Sequence, residues 1–337
     1  VKDGNRQYPS ASYSARIIAW GQSDVFSILT SIAPIFLLIL LGNYLLRKGI
    51  PSVEFWNLND KLAYWVLFPA LLFHNTSTLK LTGNLLESYA IVTLGAFGAA
   101  VLYAVAVKKI TGLTGAVGSS VLQGASRHNT FVSLAVSGQL FGAEGLALAT
   151  LVTAVLVPVT NIVVVSLMTG MLPQPGAHSL GRAILRDLSR NPLLVSIVIG
   201  LSMNALGLGG LPVIHQTTGL LGAAALPIVL LCIGANLRIR EMHTSLGPVL
   251  LSIVGKFVVF PAAAFGLILA TGLTGMTAVV PMIAASIPTA ASSFTLSRQM
   301  GGDAPLMAAI VTLQTLVSFV TLPLMVYWAG TYFGLTF

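Results

Sequence analysis

Apolar runs recur along almost the whole chain, separated by short polar or Pro/Gly-rich punctuation. A bilayer span needs about 20 mainly apolar residues, and ten runs meet or approach that length. They are Val25–Leu46, Asp60–Thr76, Asn84–Val107, Ala116–Phe141, Gly145–Met168, Pro192–Leu206, Ile214–Ala235, Leu246–Ala270, Thr277–Met300 and Pro305–Tyr332. Each predicts a membrane helix, and Pro69, Pro227 and Pro261 mark kinks in three of them. Two runs are broken by polar residues near mid-depth. The fourth carries Arg127, His128, Asn129, Thr130 and Ser133. The ninth is interrupted at Ser286-Ile-Pro-Thr289 and again at Ser292 and Ser293. An ionisable side chain at the centre of a span costs about 2.5–3.5 kcal/mol. It is tolerated where the backbone is enclosed by protein or lines a watery cavity.

Composition agrees with this pattern. Of 337 residues, 55% are hydrophobic and 8% charged, against about 25% charged in soluble domains. The chain therefore reads as one integral membrane unit with no separate soluble domain. Cys232 is the only cysteine and lies in an apolar run, which excludes disulfides and cysteine-based metal sites. A net charge of +8 reads as cytoplasmic loop charge rather than as a nucleic-acid footprint. No cofactor or metal is expected.

Residues 1–24 are polar, with an apolar patch at Ile17–Trp20 too short for a span, and are expected to form a disordered leader. Residues 25–170 form a first set of five spans and 192–337 a second. Between them, 171–191 is a linker in which Leu180, Ile184, Leu185 and Leu188 oppose Arg182, Arg186 and Arg190, as in an interfacial amphipathic helix. Arg47, Lys48, Lys61, Lys108, Lys109, Arg182, Arg186, Arg190, Arg238, Arg240 and Arg298 follow odd-numbered spans, whereas only Lys80 follows an even-numbered one. The positive-inside rule then puts both termini on the non-cytoplasmic side, with Lys2, Arg6 and Arg16 of the leader running against it.

Sliding the chain against itself by 159 positions places Thr130 on Thr289, Ser133 on Ser292, Gly142 on Gly301, Glu144 on Asp303 and Thr153 on Thr312, with Asn129 opposite Pro288. An odd number of spans per repeat inverts the second copy. Inverted repeats with discontinuous helices meeting near the midplane are a recurrent carrier design.

The half-helix ends bared by such breaks bear partial charge, and N-terminal ends suit anions. Arg127, His128, Asn129, Thr130 and Ser133 from one break, with Pro288, Thr289, Ser292 and Ser293 from the other, make the candidate substrate site. Lys256, deep in the eighth span, adds positive potential or stands where a coupling cation would. Glu87, Glu144 and Asp303 lie near span ends, so a buried site with cations and no acids favours an anionic substrate. His128, with an ordinary pKa near 6.5, leaves proton coupling open beside a structural role, while His74, His178, His215 and His243 read as structural. Nucleophile-elbow, P-loop and zinc-protease motifs are absent from the sequence, so an enzyme is not expected.

The sequence resembles the auxin efflux carrier family, in the bacterial branch that includes malonate carriers. The resemblance is carried by Arg127–Val136 with Phe141–Ala147, Asn191-Pro-Leu-Leu194, Leu231–Leu237, Gly255–Pro261 and Ala285–Ala291. It implies an all-α integral membrane fold of ten transmembrane helices in two inverted five-helix repeats, related to that of bile acid/sodium symporters, whose broken fourth and ninth helices cross beside the substrate. Spans one, two, six and seven would form a scaffold able to dimerise, and the others a transport domain. Asn129 matches the family's Asn-Thr and Pro288 its crossover proline. His128 stands where plant members have proline, and the linker is short, which points to a bacterial inner-membrane carrier of a small organic anion such as malonate. The alternatives left standing are a sodium- or proton-coupled symporter or antiporter of related fold, and an intramembrane receptor or enzyme using the same cavity.

Overall fold

The computed structural model describes residues 13–79, 84–172, 190–238 and 246–335, with side chains from Phe26 onward. Among the described residues every regular element is helical. In chain order these are α1 Tyr13–Arg47, α2 Val53–Leu62, α3 Phe68–Ser77, α4 Leu85–Thr111, α5 Gly115–Ser126, α6 Thr130–Met171 and α7 Pro192–Ala205. They are followed by α8 Pro212–Ala235, α9 Leu246–Val254, α10 Phe260–Thr271, α11 Gly275–Ser286, α12 Ser292–Met300 and α13 Ala304–Tyr332. A π-helical turn, Ala63–Leu67, joins α2 to α3, and another, Gly255–Val259, joins α9 to α10. Each turn leads directly into Phe-Pro, and a proline has no N–H to continue the ladder.

Six of these helical stretches are long and apolar enough to cross a membrane: Phe26–Arg47, Leu85–Thr111, Gly115–Met171, Pro212–Ala235, Leu246–Thr271 and Ala304–Tyr332. Pro192–Ala205 and Gly275–Ser286 are shorter apolar helices. Among the described residues the architecture is all-helical, with the apolar spans of a multi-pass membrane protein. At about 1.5 Å per residue the 57 residues of Gly115–Met171 would extend ~85 Å, far more than a ~30 Å hydrocarbon core. The chain divides that length twice. Residues 127–129 leave the helix between α5 and α6, and Gly142, with φ 61° and ψ −147°, breaks α6. Only glycine is at ease with that backbone. Just beyond the break the chain doubles back so closely that a Cβ on Gly145 would strike the carbonyl of Ser137.

Of the expected leader, residues 1–12 lie outside the described residues, while the backbone from Tyr13 already continues into α1. Most of the expected amphipathic linker, residues 173–189, also lies outside them.

Two packing sets emerge. α1, α2, α3, α7 and α8 pack on one another, as do α4, α5, α6 and α9 through α13; the sets meet where α1, α3, α7 and α8 lie on α6 and where α1 lies on α13. Within the first set, a Cβ on Gly42 would strike the Leu231 carbonyl and one on Gly234 the Ile39 carbonyl, so α1 and α8 approach backbone to backbone. Such small-residue contacts substitute for a hydrophobic drive that lipid does not supply. Beside them Asn43 donates from Nδ2 to the carbonyls of Gly234 (3.1 Å) and Leu237 (3.2 Å) at the end of α8. Asn204, on α7, makes the matching pair to the carbonyls of Thr76 (3.1 Å) and Leu79 (2.9 Å) at the end of α3. In the second set Thr-Gly-Leu-Thr-Gly occurs at 111–115 and again at 271–275. In both copies the first glycine caps a helix in the left-handed region, Gly112 at φ 67° and Gly272 at φ 69°.

Candidate functional site

The two helix breaks meet. The backbone N–H of Asn129 donates to the Pro288 carbonyl at 2.9 Å. Around this bond four helix ends converge: α5 and α11 end there, and α6 and α12 begin there. Asn129 is the N-cap of α6, its Oδ1 accepting from the N–H groups of Phe131 (3.2 Å) and Val132 (3.3 Å). Its side chain is only 2% exposed.

Arg127 is half-buried, and its guanidinium is held by neutral acceptors at long range. Nη1 lies 3.4 Å from Gln123 Oε1, and Nη2 lies 3.4 Å from Asn161 Oδ1 and 3.5 Å from Ser292 Oγ. Ser292, in the first turn of α12, is exposed. A guanidinium presents a planar fork of five donors, a geometry that can pair with a carboxylate.

The remaining candidates separate into engaged and unengaged groups. Thr289 is fully buried and fully engaged: its N–H donates to Gln314 Oε1 (3.0 Å) and its hydroxyl to the Gln123 carbonyl (3.1 Å). That makes Thr289 a brace of the crossing, with both of its donors taken up inside the fold. Thr130 has its hydroxyl 3.2 Å from His128 Nε2. By contrast His128 Nδ1, Ser133 Oγ, Ser293 Oγ and Lys256 Nζ are buried with no hydrogen-bond partner.

Lys256 sits in the π-helical turn between α9 and α10, fully buried, its Nζ 4.1 Å above the Phe260 ring. The preceding residue, Gly255, abuts the last turn of α5: a Cβ there would lie 2.5 Å from Ala125 Cβ. The hydrogen-bond partners of Arg127 include no acid. Glu87 lies in the first turn of α4 and Asp303 caps α13 through the Leu306 N–H at 2.9 Å. Among the described residues no group of three or more His, Cys, Asp or Glu side chains could hold a metal ion. His74 and His215 stack with ring centroids 3.9 Å apart, and His74 Nδ1 lies 3.1 Å from the His215 carbonyl, which ties α3 to α8.

Four residues of this network carry no signal in the sequence beyond being polar within or at the end of an apolar run: Gln123, Asn161, Ser297 and Gln314. Gln123 donates from Nε2 to Ser297 Oγ at 2.8 Å while its Oε1 faces Arg127. An amide in a membrane span needs partners, and that rule alone would single out Gln123, Asn161 and Gln314.

Residues 27–326 match the profile of a family described as membrane transport protein. A protein of Methanothermobacter thermautotrophicus, described as an uncharacterized transporter, is 24% identical over 301 residues, covering 87% of this chain and 96% of the relative.

Proposed function

This chain belongs to the membrane transport protein family, and we propose that it is a secondary carrier of a small organic anion, with a dicarboxylate such as malonate as the representative substrate. It is a multi-pass transporter rather than an enzyme. The observation that carries the anion reading is the guanidinium of Arg127 at the crossed breaks, held by Gln123, Asn161 and Ser292 and by no acid among them. The N-termini of α6 and α12 offer backbone N–H groups there, set against the C-termini of α5 and α11, and the buried Lys256 adds positive potential. Arg127 and Ser292 contact the carboxylate, Asn129 and Pro288 fix the crossing, and Ser133 and Ser293 hold unengaged hydroxyls behind it.

The carrier has ten spans in two inverted halves, with both termini on the non-cytoplasmic side of a bacterial inner membrane. The reciprocal asparagine contacts favour this: Asn43 of α1 grips the end of α8, and Asn204 of α7 grips the end of α3. The doubled Thr-Gly-Leu-Thr-Gly and the meeting breaks favour it as well. The set holding the breaks moves against the set built on α1, α3, α7 and α8, which carries the site from one face to the other. His128 leaves Nδ1 unpartnered in the interior, which favours, as a second reading, a proton moving with the anion.

The test is counterflow of labelled malonate, succinate and lactate in proteoliposomes, with and without a pH gradient. Exchange of at least one label supports the carrier. Binding with no movement of any label across a sealed vesicle would replace it with a receptor.

A further inference from the structure

Gln314 lies in the middle of α13 with no exposed surface. Its Nε2 donates to the Gly124 carbonyl at 2.9 Å and lies 3.4 Å from both the carbonyl and the hydroxyl of Ser252. Its Oε1 accepts from the Thr289 N–H at 3.0 Å. One amide therefore spans the end of α5, the second break and α9. A donor faces a carbonyl and an acceptor faces an N–H, so the amide has a single orientation that satisfies both.

The surroundings press on it. A Cβ on Gly124 would lie 2.7 Å from Ile310 Cγ2 and 2.9 Å from Ser252 Cβ, so α13 and α9 close on α5 at this level. Gly124 stands three residues before Arg127, and Thr289 three residues before Ser292. The side chain thus bridges equivalent points on the two strands of chain that deliver the guanidinium and the hydroxyl.

We infer that Gln314 is a positioning residue that sets the gap between Arg127 and Ser292, and with it the length of anion the site accepts. The inference rests on the carboxylate reading of the site. A side chain that only braced the fold would change stability without changing which anion is preferred. One that sets the gap changes apparent affinity and ranking.

The experiment reconstitutes the full chain, Gln314→Leu and Gln314→Asn into liposomes and measures uptake of labelled acetate, malonate and succinate. Gln314→Leu keeps the volume and removes both bonds. Gln314→Asn keeps the amide on a stem one methylene shorter. Expected are a KM raised about tenfold in Gln314→Leu, as for loss of a buried hydrogen-bonded partner, with a maximal rate within about twofold of wild type, and in Gln314→Asn a preference shifted towards the shorter anions. Should Gln314→Leu fail to reconstitute, the ranking in Gln314→Asn decides. Wild-type KM and ranking in the variants, whatever their melting temperatures, would overturn the inference alone. Wild-type vesicles that move none of these three labels, nor lactate, would overturn the carboxylate reading and this inference together.

Discussion

Asn129 and Pro288, far apart in the chain, are joined by a 2.9 Å hydrogen bond from the backbone N–H of one to the carbonyl of the other. A broken membrane helix exposes backbone groups that lipid cannot satisfy, and here each break answers part of the other's need. Asn129 does a second job by capping α6 with its side chain.

That double role separates stability from transport. Asn129→Ala loses the cap, about 1 kcal/mol, and should melt earlier in detergent. Asn129→Asp keeps the accepting oxygen but buries a charge at a position 2% exposed, a cost of several kcal/mol unless Arg127 pairs with it, and that pairing should compete with the anion and lower transport. Wild-type anion uptake by Asn129→Asp would show that the anion does not bind beside residue 129.

Lys256 has its ammonium buried with no hydrogen-bond partner, over the face of Phe260. A cation–π contact contributes about 0.5–2 kcal/mol, less than the several kcal/mol that burying an ion costs. Lys256→Met should therefore melt at or above the wild-type temperature while its anion uptake falls. Marked destabilisation with uptake intact would assign Lys256 to packing.

The paired asparagines offer a test of the inverted halves. Asn43→Ala and Asn204→Ala each remove two hydrogen bonds to helix-end carbonyls, and each should cost about 2 kcal/mol. Because the two contacts sit on opposite faces of the proposed topology, the double variant should be additive in detergent melts. One silent partner would break the equivalence.

Orientation is tested with single cysteines at exposed turns. Ile50 is 53% and Leu208 47% exposed, and Cys232 is buried and contributes little background. On intact cells an impermeant maleimide should label Leu208→Cys and spare Ile50→Cys. The reverse pattern would invert the topology.

Much of this architecture is legible in the sequence because lipid imposes a strict rule on polarity. Arg127-His128-Asn129 and Ser286-Ile-Pro288 are costly in the middle of apolar runs, so their positions mark the breaks, and the structure places both breaks there. Their meeting follows from tertiary packing of helices that are apolar nearly all round, where helical periodicity names no partner. For the same reason Gln314 and Asn161 read as isolated amides, and the sequence does not show that Thr289 spends both of its donors inside the fold. The 159-residue register aligns the breaks, while the identical pentapeptides stand 160 apart. A one-residue slip between neighbouring elements is enough to blur a repeat read along the whole chain.

Uptake of labelled malonate, succinate and lactate by proteoliposomes holding wild type, Arg127→Ala or Arg127→Lys measures the carboxylate site most directly. Wild type should accumulate at least one label. Arg127→Ala should lose roughly 10–100-fold, the worth of a charge-assisted bidentate contact, and Arg127→Lys should recover little, since lysine has no fork. Wild-type rates in Arg127→Ala would contradict the account.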